Sequence, residues 1–279
     1  MSLEPEQSFQ QALQQIREML TDWQDSTETF ARTLRGERIP HLSFSRLSSL
    51  EFCPQRYFLE YRQGLAPDPL PAYFEKGRLL HEIAAMIYTN LAKGKPTTPD
   101  EISDFIHENN GGEYQHHLRN AAHELQWNAW KDWNVVAVEQ PFVIELAPDL
   151  PPCVGVIDLV LENEGEFAII DHKSGRTFFK TDFYDPGKLQ MSIYREYAKR
   201  AYAPQSLRLF YDKYRWVNDL RRIRKPAFER EEIELSDDSW PHAYQKLRRG
   251  YQSMREMYHS GHYPKTGDCY RCPFRGMCD

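Results

Sequence analysis

The chain has 279 residues, 41% of them hydrophobic and 27% charged, with a formal net charge of −6. That length and composition suit one large folded domain or two small ones, and they exclude disordered and fibrous chains. No apolar run approaches the roughly 18 residues of a membrane span, and the opening MSLEPEQSFQ lacks the basic start and apolar stretch of a signal peptide, so a cytoplasmic protein without membrane contact is expected. In an acidic chain, any phosphate-binding surface must be a local basic patch.

From the N-terminus, Phe9, Leu13, Ile16, Leu20, Trp23, Phe30 and Leu34 fall at steps of four and three, with Thr27 filling the gap. This predicts a helix with one apolar stripe, which either covers its own domain or docks on a partner. Ser43 or Ser45 can cap a second helix through Leu47, Leu50 and Phe58, which places Cys53 on or beside it. Pro67, Pro69 and Pro71 break the chain before a third helix around Gly77 to Leu91. Residues 98–133 read as weakly helical, interrupted between Asn109 and Gly112, with Trp127, Trp130 and Trp133 near their end.

Beyond this point the period changes. Val135 to Leu146, Cys153 to Leu161 and Glu166 to Asp171 are rich in Val, Ile and Phe, and turn signals at Pro148 to Pro152 and Asn163 to Gly165 separate them into three successive antiparallel strands. A helix from Gly187 to Tyr202, a strand from Leu207 to Tyr211, an edge strand from Phe228 to Leu235 and a last helix from Trp240 to His259 complete the order. The expected fold class is one α/β sandwich around a mixed sheet, without internal repeats.

Four stretches carry candidate chemistry. In Gly155-Val156-Ile157-Asp158-Leu159-Val160 one carboxylate sits among apolar residues, and the next strand ends Ile169-Ile170-Asp171-His172-Lys173. Ionised groups in an apolar sheet need partners, so two Asp on neighbouring strands, followed by a Lys, should share a metal or an ion pair. Alternation along the strand puts Asp171 and Lys173 on one face and turns His172 away. Upstream, Gly77-Arg78-Leu79-Leu80-His81 offers a helical histidine, and downstream Gln190 and Tyr194 share a helix face at i and i+4. Taken singly, each has a plain structural reading: a sheet-end ion pair, a helix histidine and a solvated face.

Five cysteines in a reducing compartment point to metal or catalysis rather than disulfides. Cys269, Cys272 and Cys278 form C-x2-C-x5-C, Cys53 lies in F-C-P-Q-R-Y-F, and Cys153 stands alone as a buried small apolar residue.

The order G-x-x-x-H, G-x-I-D, I-I-D-x-K, Q-x-x-x-Y, framed by Cys53 before and the cysteine triplet after, resembles the iron-sulfur branch of the PD-(D/E)xK nuclease superfamily. It is similar to RecB-type exonucleases, including the AddB nuclease domain and the small CRISPR-associated exonucleases. The acidic residue before the lysine is Asp171 rather than the commoner Glu. The resemblance spans Ser43 to Cys278 and implies a restriction-endonuclease-like sandwich over 41–279, preceded by an N-terminal helical extension over 1–40.

The resemblance implies a magnesium or manganese ion held by His81, Asp158, Asp171 and the backbone carbonyl of His172, with Glu139 as a further candidate carboxylate. The imidazole in that set favours manganese. Lys173 is expected to orient the attacking water, and Gln190 and Tyr194 to steer the phosphate. The cysteine frame admits zinc or a 4Fe-4S cluster. One distant Cys plus a compact triplet, with Pro54 and Pro273 after Cys53 and Cys272, favours the cluster, which would join the N- and C-terminal parts of the fold.

For substrate contact, Lys213, Arg215, Arg221, Arg222 and Arg224 interleave with Trp216, a pattern that fits single-strand binding and also fits a solvated hairpin. There is no phosphate-binding G-x4-G-K-[ST] segment, so unwinding would need a helicase or other protein partner. The expected function is a metal-dependent DNA exonuclease acting on single-stranded or frayed ends. The alternative is a non-catalytic iron-sulfur or zinc nucleic-acid-binding module that recruits partner proteins.

Overall fold

The computed structural model describes residues 7–21, 30, 33–34, 39–67, 72–109, 114–175, 186–216, 227–267, 269–270 and 272–278. The helices are α1 (Gln7–Thr21), α2 (Phe44–Phe52), α3 (Ala72–Ala92), α4 (Pro99–Glu108), α5 (Gln115–Trp127), α6 (Pro186–Tyr202) and α7 (Ser239–Ser260). The strands are β1 (Asn134–Ile144), β2 (Cys153–Asn163), β3 (Glu166–Gly175), β4 (Ser206–Arg215) and β5 (Phe228–Glu232). Among the described residues no helix is long and apolar enough to cross a membrane.

Local chemistry sets the element ends. Ser43, in extended conformation, accepts the Arg46 N–H through its hydroxyl and starts α2. Thr98 and Glu101 form a reciprocal cap for α4, with Pro99 in its first turn. Cys53 is extended and breaks the predicted second helix, since Pro54 starts a new turn (Pro54–Tyr57) that runs into a π-helical turn (Phe58–Arg62). The β2–β3 hairpin closes over Glu164 and Gly165, both at positive φ.

The sheet runs β1-β2-β3-β4-β5, antiparallel except for the β3–β4 pair, which is parallel and bridged by α6. One layer packs α2, α6 and α7 against the sheet through Leu47, Ile157, Ile169, Met191 and Leu247. The other packs α3, α4 and α5 through Leu80, Ile83, Leu118, Leu159 and Ile170. The predicted restriction-endonuclease-like α/β arrangement is thus present, with a mixed five-stranded sheet between helices. The predicted N-terminal stripe is described in part: Ala12 and Ile16 of α1 join Phe30, Leu34 and Val154 in a small core against the sheet, and Phe9 meets Tyr251 edge-on. Trp23 and Thr27 lie outside the described residues.

Strict alternation fails at a bulge between Val135 and Ala137 of β1 and again beside Glu139. On β2, Ile157 and Val160 belong to one layer while Leu159 and Leu161 belong to the other, so the strand switches faces between Ile157 and Leu159. On β1, Phe142 and Ile144 join the first layer and Val138 packs against the second, a matching switch. Glu139 sits at this point with φ +50, and the ladder skips from Val138↔Leu159 to Gln140↔Ile157. A left-handed non-glycine residue inside a strand is uncommon and concentrates at functional sites. The residue facing it is Asp158.

Candidate active site

Asp158 and Asp171 lie where β2 and β3 separate. The ladder between these strands ends at Leu159↔Ile170, and there the Asp158 carboxylate replaces the next carbonyl by accepting the His172 backbone N–H at 2.7 Å. His81 on α3 brings Nδ1 to 3.3 Å from Asp158 Oδ2 and 3.9 Å from Glu139 Oε1. One ligand atom from each of His81, Glu139 and Asp158 can gather within 4.8 Å of one another, a donor set suited to a divalent cation. Glu139 therefore stands closer to the site than its place on a neighbouring strand alone would require.

Asp171 belongs to an adjoining chain of contacts. Lys173 Nζ is 2.5 Å from Asp171 Oδ2 and donates to Gln190 Oε1 at 3.0 Å. Gln190 Nε2 donates to Asp171 Oδ1 at 2.9 Å and lies 2.8 Å from the Tyr194 hydroxyl, which in turn donates to the Val156 carbonyl at 2.6 Å. Asp171 is 1% exposed, and its Oδ2 faces the Lys173 ammonium. The i,i+4 spacing on α6 is what lets Gln190 and Tyr194 act together. His172 turns its ring to the opposite face, where it stacks on Tyr88 at 5.9 Å, and leaves its backbone N–H at the site.

The electrostatics follow from crowding acids against two bases. Burial works against charge on His81, but Asp158, with Asp171 and Glu139 behind it, outweighs burial and lifts the imidazole to about 9. Burial likewise opposes charge on Asp158, yet His81 holds its carboxyl below the usual range. For Asp171 burial prevails over Lys173, and with the Asp158 charge added it raises the carboxyl to about 6. The two carboxylates are thus pushed apart, a pattern typical of catalytic pairs. Burial depresses the neighbouring His172, which stays neutral.

Cys53 lies at the C-terminal end of α2, against the segment that leads into the C-terminal cysteines. The Cys53 sulfur is 4.0 Å from the Pro264 carbonyl, and Gln55 N–H donates to that carbonyl. Gly267 lies so close that a Cβ there would be 2.5 Å from the Phe52 carbonyl oxygen. Burial raises the Cys278 thiol, and the neighbouring thiols of Cys272, Cys53 and Cys269 raise it further. Cys153 is elsewhere, buried in the first core layer, with its thiol pushed up to about 12 by burial.

The basic stretch is arranged differently from the sequence expectation. Lys213 is 4% exposed and pairs with Glu231, Arg215 pairs with Glu229, and Trp216 is 8% exposed with its ring edge-on to His117 in the second core layer. These three residues neutralise acids and fill the core, and they do not offer a solvent face to nucleic acid. Arg221, Arg222 and Arg224 lie outside the described residues.

A mixed sheet splaying at two aspartates, with a lysine two residues beyond the second, defines a restriction-endonuclease-like α/β nuclease. The profile of the PD-(D/E)XK nuclease superfamily matches residues 41–279, and the chain belongs to that superfamily. Among solved structures, a protein from Eubacterium rectale described as a candidate exonuclease is similar in fold, with a TM-score of 0.57, 12% identity, and coverage of 90% of this chain and 91% of that one. A second, SSO0001, aligns at a TM-score of 0.41 and 14% identity over 96% of this chain and 94% of that one. None of the curated proteins matches the chain.

Proposed function

We propose that this nuclease is a divalent-metal-dependent deoxyribonuclease that removes nucleotides from single-stranded or frayed DNA ends. The observation that carries the reading is the pair of adjoining polar clusters, His81 with Asp158 and Asp171 with Lys173, Gln190 and Tyr194, joined through the His172 backbone N–H. Magnesium or manganese would be held by His81, Asp158 and Asp171, with Glu139 and the His172 carbonyl beside them, and would supply Lewis acidity toward a phosphate oxygen. The protein's own part is positioning. Lys173, held by Asp171 and Gln190, presents an ammonium that orients a water and offsets charge growing on the phosphoryl oxygens. Tyr194, fixed by the Val156 carbonyl, keeps Gln190 in place. The cysteines are read as ligands of a structural 4Fe-4S cluster clipping α2 to the C-terminal tail, a reading supported by their spacing and by the mutual influence of their thiols. A helicase or other partner would supply unwinding.

The test is cleavage of end-labelled single-stranded DNA of both polarities by purified protein with manganese. Asp158→Asn and Lys173→Met are each expected to lower turnover by about a hundredfold or more while the melting temperature stays within a few degrees of wild type. Near-normal cleavage by either variant would remove that residue from the site. Inert wild-type protein that still binds DNA would favour the non-catalytic module.

A further inference from the structure

Gln190 and Tyr194 face two ways. Besides holding Asp171 and Lys173, they line a cleft of about 280 Å3 whose remaining walls come from the start of α2, Tyr61, β1, β2 and residues 30 and 34. We propose that this cleft receives one unpaired nucleobase of the strand being cut, beside the scissile phosphate. The proposal deepens the nuclease reading and rests on it.

The size fits. At about 30 Å3 for each water in the liquid, the cleft has room for roughly nine, ample for one heterocyclic base. The walls also fit. Phe142 closes the floor: its ring is buried between Tyr197, on which it stacks at 4.6 Å, and Gly155, where a Cβ would lie only 2.5 Å from the ring. Phe44 is half-buried, and among the described residues its ring has no aromatic partner. Tyr61 carries the Arg46 guanidinium 5.4 Å from its ring centroid, which adds a second flat group with a positive charge. Aromatic rings and planar guanidinium groups accept any base by stacking, so the cleft favours unpaired bases without reading sequence. A paired base could enter only after leaving its duplex, at an unstacking cost of a few kcal/mol. This is a physical route to preference for single-stranded or frayed ends.

The experiment measures binding of end-labelled single-stranded oligonucleotides by fluorescence anisotropy, with calcium in place of a metal that supports turnover. A single abasic residue is moved along the strand, one position per oligonucleotide. One position near the end is expected to lose affinity by about fivefold to a hundredfold when its base is removed. Phe44→Ala should weaken the intact strand by a similar factor and erase the difference between intact and abasic at that position, while Phe44→Trp should restore both. Equal binding at every abasic position would overturn the proposal, as would a Phe44→Ala variant that keeps the position-specific loss. Because the readout needs no turnover, the two readings fail separately. Cleavage without base dependence removes the cleft, and base dependence without cleavage removes the nuclease assignment.

Discussion

The charge on His81 makes metal binding a proton exchange, and its size can be worked out. The imidazole is lifted to about 9 by the acids around it, so near pH 7 it is protonated, and that proton already occupies the place of a cation beside Glu139 and Asp158. A metal ion using His81 must expel the proton. Two pH units separate the working pH from that value, so the exchange costs about a hundredfold in apparent affinity near pH 7. Affinity for manganese should therefore rise about tenfold per pH unit from about 7 and level off near 9. The same shift stabilises the metal-free fold in the opposite sense: a group raised in the folded state contributes fully below its ordinary value near 6.5, and the contribution is lost as pH rises through about 9. Free manganese counted by electron paramagnetic resonance between about pH 7 and 8.5 gives the slope, and calorimetry in buffers of different ionisation enthalpy gives the protons released, expected near one per ion. His81→Gln has no proton to expel and should bind with little pH dependence over that range. A flat wild-type profile, or an unchanged slope in His81→Gln, would refute the argument.

Two further outcomes separate buried from exposed interactions. Asp212 is fully buried and receives both Nε and Nη2 of Arg230 at 2.7 Å, so Arg230→Ala leaves an uncompensated carboxylate and should cost about 3–5 kcal/mol, whereas Arg208→Ala breaks an exposed pair with Glu232 and should cost no more than about 1 kcal/mol. Equal effects in thermal unfolding would show that burial is not what counts. Cys53→Ser should release iron and acid-labile sulfide and lower the melting temperature, whereas Cys153→Ser should leave metal content unchanged. Stoichiometric zinc without sulfide would overturn the cluster and leave the nuclease reading standing.

Most of the fold was legible because period and breakers agree. The Val/Ile/Phe runs of β1 and β2 are bounded by proline, and the hairpin after β2 turns at Asn163–Gly165, where a glycine allows positive φ. The same rules mislead where one residue breaks a long pattern. The single helix expected through Leu47 and Phe58 is broken at Cys53, because Pro54 cannot continue the hydrogen-bond ladder. Glu139 is a similar case at the site. Its importance comes from a kink shared by two strands, and alternation from either end of β2 gives contradictory faces for Asp158. Only the cross-strand pairing brings the two carboxylates and His81 together, and linear spacing carries no trace of it.

The basic stretch shows the converse limit. Charge counted along the chain suggests a substrate track over Lys213, Arg215 and Arg221 to Arg224; the last three lie outside the described residues, and for the first two the sheet neutralises charge across strands. β4 is flanked by β3 and β5, and β5 reads Phe-Glu-Arg-Glu-Glu, acids set opposite the bases. Lys213 meets Glu231, Arg215 meets Glu229, Arg208 meets Glu232, and the one cation of β5, Arg230, meets Asp212. The positive charge counted on β4 is consumed inside the sheet. Lys213 and Lys173 are register partners on adjacent strands, with the Tyr211 ring 5.9 Å from one ammonium and 5.3 Å from the other. Glu231 engages the buried Lys213, while Lys173 pairs with Asp171. Lys213 thus belongs to the framework beside Lys173, its charge matched within the sheet by Glu231.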